Sequence, residues 1–138
     1  MIVNKTILIN TRGNCDIIDI TSQVANEISQ SNISNGIVNI FISGSTAGIS
    51  TIEYESGVVN DFKAMWDRIV PRNISYQHDA KWGDGNGFSH VRASLLGPSL
   101  TVPVINKKMA LGTWQQIIVT DFDNRPRSRE IVVQISGE

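Results

Sequence analysis

The carboxy-terminal half of the chain constrains the fold most strongly, because strand-like segments follow one another there with no helical pattern between them. The predicted strands are Ser89–Leu96, Leu100–Ile105, Ala110–Thr120 and Arg129–Ser136. Turn-forming residues at 106–108 and 123–126 separate the later ones. Parallel neighbours need a crossover of about a dozen residues or more, usually a helix, so strands joined this closely are expected to pair antiparallel.

The amino-terminal half adds further strands and a first helix. Runs rich in β-branched or apolar residues predict strands at Ile2–Asn10, Cys15–Ile20 and Ile37–Ile42. Thr21 or Ser22 is a suitable cap for a helix in which Val24 and Ile28 share one face. That helix is expected to end before the turn-forming Asn-Gly pair at 35–36.

A second helix is indicated by apolar residues that recur at three- and four-residue steps and stop at Pro71. They are Val58, Phe62, Met65, Trp66 and Ile69. No internal repeat or linker divides the chain, so the pattern predicts a single domain over residues 1–138. The predicted class is α+β, with mostly antiparallel strands and two helices.

Composition excludes several classes of protein. A net charge of −1 gives no overall electrostatic footprint for nucleic acid, and 41% hydrophobic residues are ordinary for a globular domain. No apolar run approaches the ~20 residues of a membrane helix, and no signal peptide is evident, so we expect a cytoplasmic protein without membrane or nucleic-acid partners. Cys15 is the only cysteine, which excludes an intrachain disulfide and favours a small buried side chain over a nucleophile.

Both histidines lie in one short segment, HDAKWGDGNGFSH, from His78 to His90. Its glycines allow a tight turn that brings the two imidazoles together, and Asp84 lies midway between them. Two imidazoles and a carboxylate suit zinc or a similar divalent ion, with one position open to water or substrate. A polar surface loop is the alternative. No helical pattern follows GDGNG, which argues against a dinucleotide-binding loop.

Small and hydroxyl-bearing residues follow the strand predicted at 37–42, in the motif SGSTAG at 43–48. Ser45 and Thr46 in this loop can present hydroxyl and backbone N–H groups to an anion, although a plain turn has the same composition. Glu53 and Glu55 come next, and either can serve as a general base, as a further metal ligand or as a solvated acid that caps the following helix. As a ligand, Glu53 would act beside Asp84 or in its place.

Two further motifs contain candidate binding residues. Arg125, Arg127 and Arg129 alternate, so an extended strand would project them to one side. There they could bind a diphosphate, or their charges could prevent an edge strand from pairing with another chain. The motif LGTWQQ at 111–116 places a glycine and a tryptophan inside a predicted strand, where Gln115 can donate a hydrogen bond into a site.

These segments together resemble one family. GSTAGISTIE, the pair His78-Asp79, DGNGFSHVRASLLGPSLTVPV, LGTWQQI and PRSREIVVQISGE look like the YjbQ family of small proteins, sometimes called secondary thiamine-phosphate synthases, and GSTA with DGNG resembles its archaeal branch. The resemblance extends over essentially the whole chain. It implies an α+β domain with a β-sandwich core that forms a homotrimer and has weak thiamine-phosphate synthase activity.

The resemblance also implies roles for individual residues. Glu53, His90 and Gln115 match family positions expected to be catalytic, and His78 matches the second family histidine, which we assign with His90 and Asp84 to a metal. The residues expected to bind a phosphorylated substrate are Ser45, Thr46, Asn86, Arg127 and Arg129. Many family members carry histidine where this chain has Gly44, so the site here must function without that side chain or chelate differently.

The resulting hypothesis is a metal-dependent enzyme that joins a pyrimidine diphosphate to a thiazole phosphate and releases diphosphate. The expected cofactor is a divalent ion, zinc for its preference for imidazole or magnesium for its preference for oxygen. The alternatives are a non-catalytic protein that binds a metal or a phosphorylated metabolite, and a metal-dependent contact between subunits of the trimer.

Overall fold

A computed structural model describes all 138 residues, which form eight strands and four helices. In chain order these are β1 (Ile2–Thr11), β2 (Asp16–Asp19), α1 (Thr21–Gln30), β3 (Gly36–Ile42), β4 (Ala47–Ile52), α2 (Ser56–Ile69), α3 (Gln77–Trp82), α4 (Gly87–Leu96), β5 (Ser99–Ile105), β6 (Lys108–Met109), β7 (Gln116–Asp121) and β8 (Arg127–Gly137). No helix has the length and apolar character required to span a bilayer.

The strands form two sheets in which every pairing is antiparallel. One sheet has the order β1-β8-β3-β5-β6 and the other the order β2-β7-β4. The α+β class and the mostly antiparallel pairing predicted from the sequence are therefore confirmed.

Alternation along β7 explains how the layers hold together. Ile117 and Val119 belong to the apolar core shared with the five-stranded sheet, whereas Ile118 and the following Phe122 pack with Trp66 of α2 and Phe88 of α4. Successive strand residues face opposite sides of a sheet, so the three-stranded sheet forms the middle layer. Burying each such aliphatic side chain contributes about 1.5–3 kcal/mol.

Several boundaries differ from those predicted. The strand prediction for residues 89–96 was wrong, because this segment forms α4, and the short α3 was also not foreseen, so there are four helices rather than two. The strand expected from residue 110 begins at Gln116, which leaves Gly112 and Trp114 in a turn. Helix α1 has Ile20 at its N-cap, and the Asp19 carboxylate accepts hydrogen bonds from the Thr21 amide and hydroxyl.

Strand β8, with the arginines at its start, pairs with both β1 and β3. The pairing with β1 reaches Arg127, whereas the pairing with β3 ends at Ile131, so the arginine-bearing start of β8 extends beyond β3. Arg129 is nevertheless buried, so it does not protect a solvent-exposed sheet edge.

Candidate functional site

The histidine segment folds as a helix, a tight turn and a second helix. Gly83 and Gly85 adopt φ angles of 67° and 63°, which glycine tolerates best, and they reverse the chain between α3 and α4. The Asp79 carboxylate accepts a hydrogen bond of 2.8 Å from the Gly87 amide, which ties the two helices together. A helix thus does follow GDGNG, although the parallel strand pair of a dinucleotide-binding unit is absent.

This turn brings the two imidazoles together as the sequence predicted. The ring centres of His78 and His90 are 4.6 Å apart, with 38° between the ring planes. Nδ1 of His78 lies 3.3 Å from Oδ1 of Asp84 and 3.5 Å from Oδ1 of Asp79. It is buried and has no hydrogen-bond partner.

The donor set around Nδ1 fits a divalent cation. A tetrahedral zinc with bonds of about 2.0–2.1 Å to nitrogen and oxygen holds neighbouring ligand atoms about 3.3 Å apart, close to the separations found here. The group of ligand atoms that lie within 4.8 Å of one another consists of His78, Asp79 and Asp84. The ring of His90 contacts that of His78, but His90 is not one of the grouped ligands. Asp79 therefore replaces His90 in the ligand set predicted from the sequence.

Asn86 connects the histidine turn to the loop after β7. Its buried side-chain oxygen accepts hydrogen bonds from the Ser89 hydroxyl and, at 3.2 Å, from the Asn124 amide. The Asn124 side chain in turn donates to the Asp84 carbonyl at 2.9 Å. These contacts fix the position of the Asp84 backbone and engage the Asn86 oxygen within the protein.

A buried ionic network lies next to this loop. Nε and Nη2 of Arg129 donate to the two carboxylate oxygens of Asp121 at 2.8 and 3.0 Å, and Nη2 also donates to the Thr46 hydroxyl at 2.6 Å. Thr46 donates to Asp123 at 2.9 Å. Two of the predicted phosphate ligands, Thr46 and Arg129, are therefore engaged in buried contacts within the chain.

Asp123 keeps its negative charge within this network. Burial alone would raise the pKa of its carboxyl, but hydrogen bonds from Thr46 and Arg127 outweigh that effect and hold the pKa below the ordinary value. The Arg127 contact is 3.0 Å long and uses Nε, so the terminal nitrogens of this half-buried side chain remain available. Ser45 is exposed beside a cleft that Gly44 and Ser94 also line.

Glu53 and Gln115 lie at the other end of the three-stranded sheet. Ala47, beside the ionic network, pairs with Asp121, whereas Ile52, next to Glu53, pairs with Gln116. These ends are separated by the length of a six-residue strand, roughly 17 Å at about 3.3 Å per residue. Within one chain the structure therefore does not bring Glu53 or Gln115 to the histidines.

Gln115 and Glu55, at this end of the three-stranded sheet, form hydrogen bonds with nearby residues. Oε1 of Gln115 accepts a hydrogen bond from the Gly112 amide, and its Nε2 donates to the Thr51 hydroxyl. Glu55 caps α2 by accepting hydrogen bonds from the amides of Gly57 and Val58, which lower its pKa. The capping role considered for these acids thus applies to Glu55.

Comparison with known proteins gives one consistent result. The family described as "UPF0047 protein YjbQ-like" matches residues 5–138. A UPF0047 protein from Methanothermobacter thermautotrophicus is 45% identical over 130 residues, which cover 94% of this chain and 89% of the relative. A UPF0047 protein from Archaeoglobus fulgidus is 36% identical over 126 residues, which cover 91% of this chain and 95% of the relative.

Solved structures agree with the sequence comparison. A YbjQ-like protein of unknown function from Sulfolobus solfataricus superposes with a TM-score of 0.94 at 33% identity, covering 100% of this chain and 99% of that one. An uncharacterised conserved protein of the same family from Clostridium acetobutylicum gives a TM-score of 0.87 at 32% identity, covering 96% and 99% of the two chains.

Proposed function

Since the chain belongs to the YjbQ-like family UPF0047, we propose that it is a divalent-metal-dependent transferase of the thiamine-phosphate synthase type, as the family resemblance implies. The observation that carries the proposal is the buried, unpartnered Nδ1 of His78, which faces the carboxylates of Asp79 and Asp84. A buried polar atom without a partner is costly, and a bound cation would satisfy it. Zinc suits the imidazole, and magnesium is the alternative.

The reaction joins a pyrimidine diphosphate to a thiazole phosphate. The lone pair of the thiazole ring nitrogen forms a new bond to the pyrimidine's methylene carbon, while the carbon–oxygen bond to diphosphate breaks and its electron pair leaves with the diphosphate. A divalent ion held by the three ligands would supply positive charge to the leaving diphosphate. The terminal nitrogens of Arg127 and the exposed hydroxyl of Ser45 bind phosphate oxygens, and the protonated imidazole of His90 donates its proton to an oxygen of the leaving diphosphate.

Other predicted residues act in this proposal by positioning. Thr46 donates a hydrogen bond to Asp123 and Nη2 of Arg129 lies 3.9 Å from the same carboxylate, which in turn orients Arg127. The Asn86 backbone amide donates to the Asp84 carboxylate at 3.2 Å and so fixes the turn that carries Asp84. Glu53 and Gln115 can join the same site only if a second subunit brings them there. The homotrimer implied by the family resemblance would allow that, and the mass of the purified protein in solution tests it.

Metal content tests the first part of the proposal. Element analysis and titration of metal-stripped protein should show one divalent ion per chain, bound at least 10–100-fold more weakly in His78→Ala and Asp84→Asn variants. Asp61→Asn is the matched control, because Asp61 is an exposed acid on α2 outside the site. Unchanged metal affinity in both site variants would contradict the proposed ligands.

Catalysis is tested separately by diphosphate release from the paired thiamine precursors. We expect release in the wild-type protein and its loss in His90→Ala. A rate that does not respond to this substitution would refute the assignment of His90.

A second candidate is a non-catalytic protein that binds a metal or a phosphorylated metabolite. The location of Glu53 at the far end of the sheet favours it, because the predicted general base is then absent from the histidine site of a single chain. Metal binding that depends on His78, together with no diphosphate release under any condition, would favour this candidate over the enzyme.

A further inference from the structure

A separate cationic pocket lies across α4 from the histidines. Phe88 and Arg92 are four residues apart and share one face of this helix, whereas His90, two residues from each, points to roughly the opposite side at about 100° per residue. The pocket residues that matter for its chemistry are Asn14, Cys15, Lys63, Asp67, Arg72 and Arg92. We call this group the cationic pocket.

Arg92 is the innermost charge of the pocket and is only partly neutralised. Its side chain is 2% exposed, Nε donates to the Val70 carbonyl at 2.9 Å, and Nη2 donates to Asp67 at 3.2 Å. Asp67 is its only carboxylate partner and is itself 74% exposed, so the pairing is strongly screened by water. Nη1 makes no hydrogen bond within the protein, which leaves two donors of a buried guanidinium available to a ligand.

Two more cations surround the same pocket. The guanidinium carbon of Arg72 lies 4.6 Å from the centre of the Phe88 ring, and that of Arg92 lies 5.0 Å from it. Arg72 donates to the Asn14 side-chain oxygen at 2.7 Å, and neither it nor Lys63 forms an ion pair. Three cations against one acid give the pocket a net charge of +2 in a chain whose net charge is −1.

Such a gathering of like charges is unfavourable until an anion enters it. We propose that the cationic pocket binds a phosphomonoester-type dianion, held by the guanidinium groups of Arg72 and Arg92 and by the Lys63 ammonium. Two negative charges match the excess of the pocket, and guanidinium groups suit phosphate oxygens. The pocket has a volume of about 250 Å³, which is smaller than the pockets that typically bind drug-sized ligands. This size suits a small phosphorylated group.

The proposed binding is non-covalent. Burial raises the pKa of the Cys15 thiol to about 11, so the side chain is neutral at pH 7 and neither repels the anion nor attacks it. The proposal does not depend on the transferase activity or on a metal, because the pocket lies on the opposite side of α4 from the histidine site.

The test is titration of metal-free protein with inorganic phosphate by calorimetry at constant ionic strength. Arg72→Gln and Lys63→Gln should each weaken binding about tenfold, because each removes one charge-assisted contact. Both side chains are exposed, so neither variant is expected to unfold the protein, and thermal melts verify this. Arg68→Gln is the matched control, since it removes an exposed cation from the same helix as Lys63 but outside the pocket.

The outcomes separate this pocket from the histidine site. About tenfold weaker phosphate binding at one site in each of the two pocket variants supports the proposal, provided that Arg127→Gln and His78→Ala leave the affinity of that site unchanged. If the transferase site also binds phosphate, Arg127→Gln removes a second, separate binding event and leaves the pocket event in place, so the two proposals are distinguished. It is overturned if the wild-type protein binds no phosphate, if the pocket variants bind normally, or if Arg127→Gln alone abolishes binding. Equal weakening by Arg68→Gln also overturns it, because diffuse surface charge then explains the effect.

Discussion

Replacing Arg129 with methionine tests whether this arginine is a structural residue rather than a phosphate ligand. Arg129 is 7% exposed and Asp121 is fully buried, and two hydrogen bonds of 2.8 and 3.0 Å join them. The methionine side chain fills part of the volume but leaves the Asp121 carboxylate buried without its cation. Removing one partner of a buried ion pair costs about 3–5 kcal/mol.

This free energy predicts a large change in melting temperature. An unfolding entropy of about 2.1 cal/mol/K per residue amounts to about 0.3 kcal/mol/K for a chain of 138 residues. The variant should therefore melt about 10–17 °C lower than the wild-type protein. Circular dichroism during heating measures the shift, and urea unfolding gives the free energy independently.

Two controls identify the cause. Arg125→Met removes an exposed arginine four residues away and should change the melting temperature little. Adding Asp121→Asn to Arg129→Met neutralises the stranded carboxylate and should recover part of the stability. The reasoning is refuted if Arg129→Met melts like the wild-type protein while losing affinity for a phosphorylated ligand.

Two further predictions concern a glycine and the cysteine. Gly87→Ala should destabilise the protein by about 1–3 kcal/mol in urea unfolding, because the added Cβ would lie 2.7 Å from Cβ of Tyr76. Gly112→Ala is its control, since the new atom would meet only ordinary contacts from 3.6 Å, and equal losses in the two variants would contradict the argument. Cys15, with its pKa raised to about 11, should react with iodoacetamide at pH 8 far more slowly than an unfolded-chain thiol, and a rate equal to that of the urea-unfolded protein would show that the thiol is not protected.

Local patterns were sufficient for α2 and for most of the strands, but β4 and β6 were not foreseen. The patterns failed most clearly at residues 89–96, where the apolar pattern and the burial disagree. In α4 the charged Arg92 is buried, whereas Val91 and Leu95 are 47% and 61% exposed. The helical face that packs against the core therefore contains a cation, and the exposed face contains apolar residues. In the sequence, Val91, Ala93 and Leu95 alternate with polar residues, a pattern that favours a strand over a helix.

Only part of the candidate site could be predicted from the sequence. The glycines of the turn indicated that His78 and His90 meet, and they do. Asp79 was visible beside His78, but its position within the ligand group depends on α3, a six-residue helix with no buried residues and hence no apolar pattern to reveal it. The separation of Glu53 from the histidines follows from the pairing of β4 with β7, which no local motif contains.

The glycine at position 44 has a consequence for exchanging segments between members of the family. Its φ is 120°, and a Cβ built there would lie 2.6 Å from Nη1 of Arg129. A loop with any other residue here, including the histidine that the family resemblance implies for other members, would thus require a different backbone conformation at position 44 and a different position of the guanidinium. Residues 44 and 129 must therefore be exchanged together. If only residue 44 is changed, its new Cβ collides with the guanidinium of Arg129.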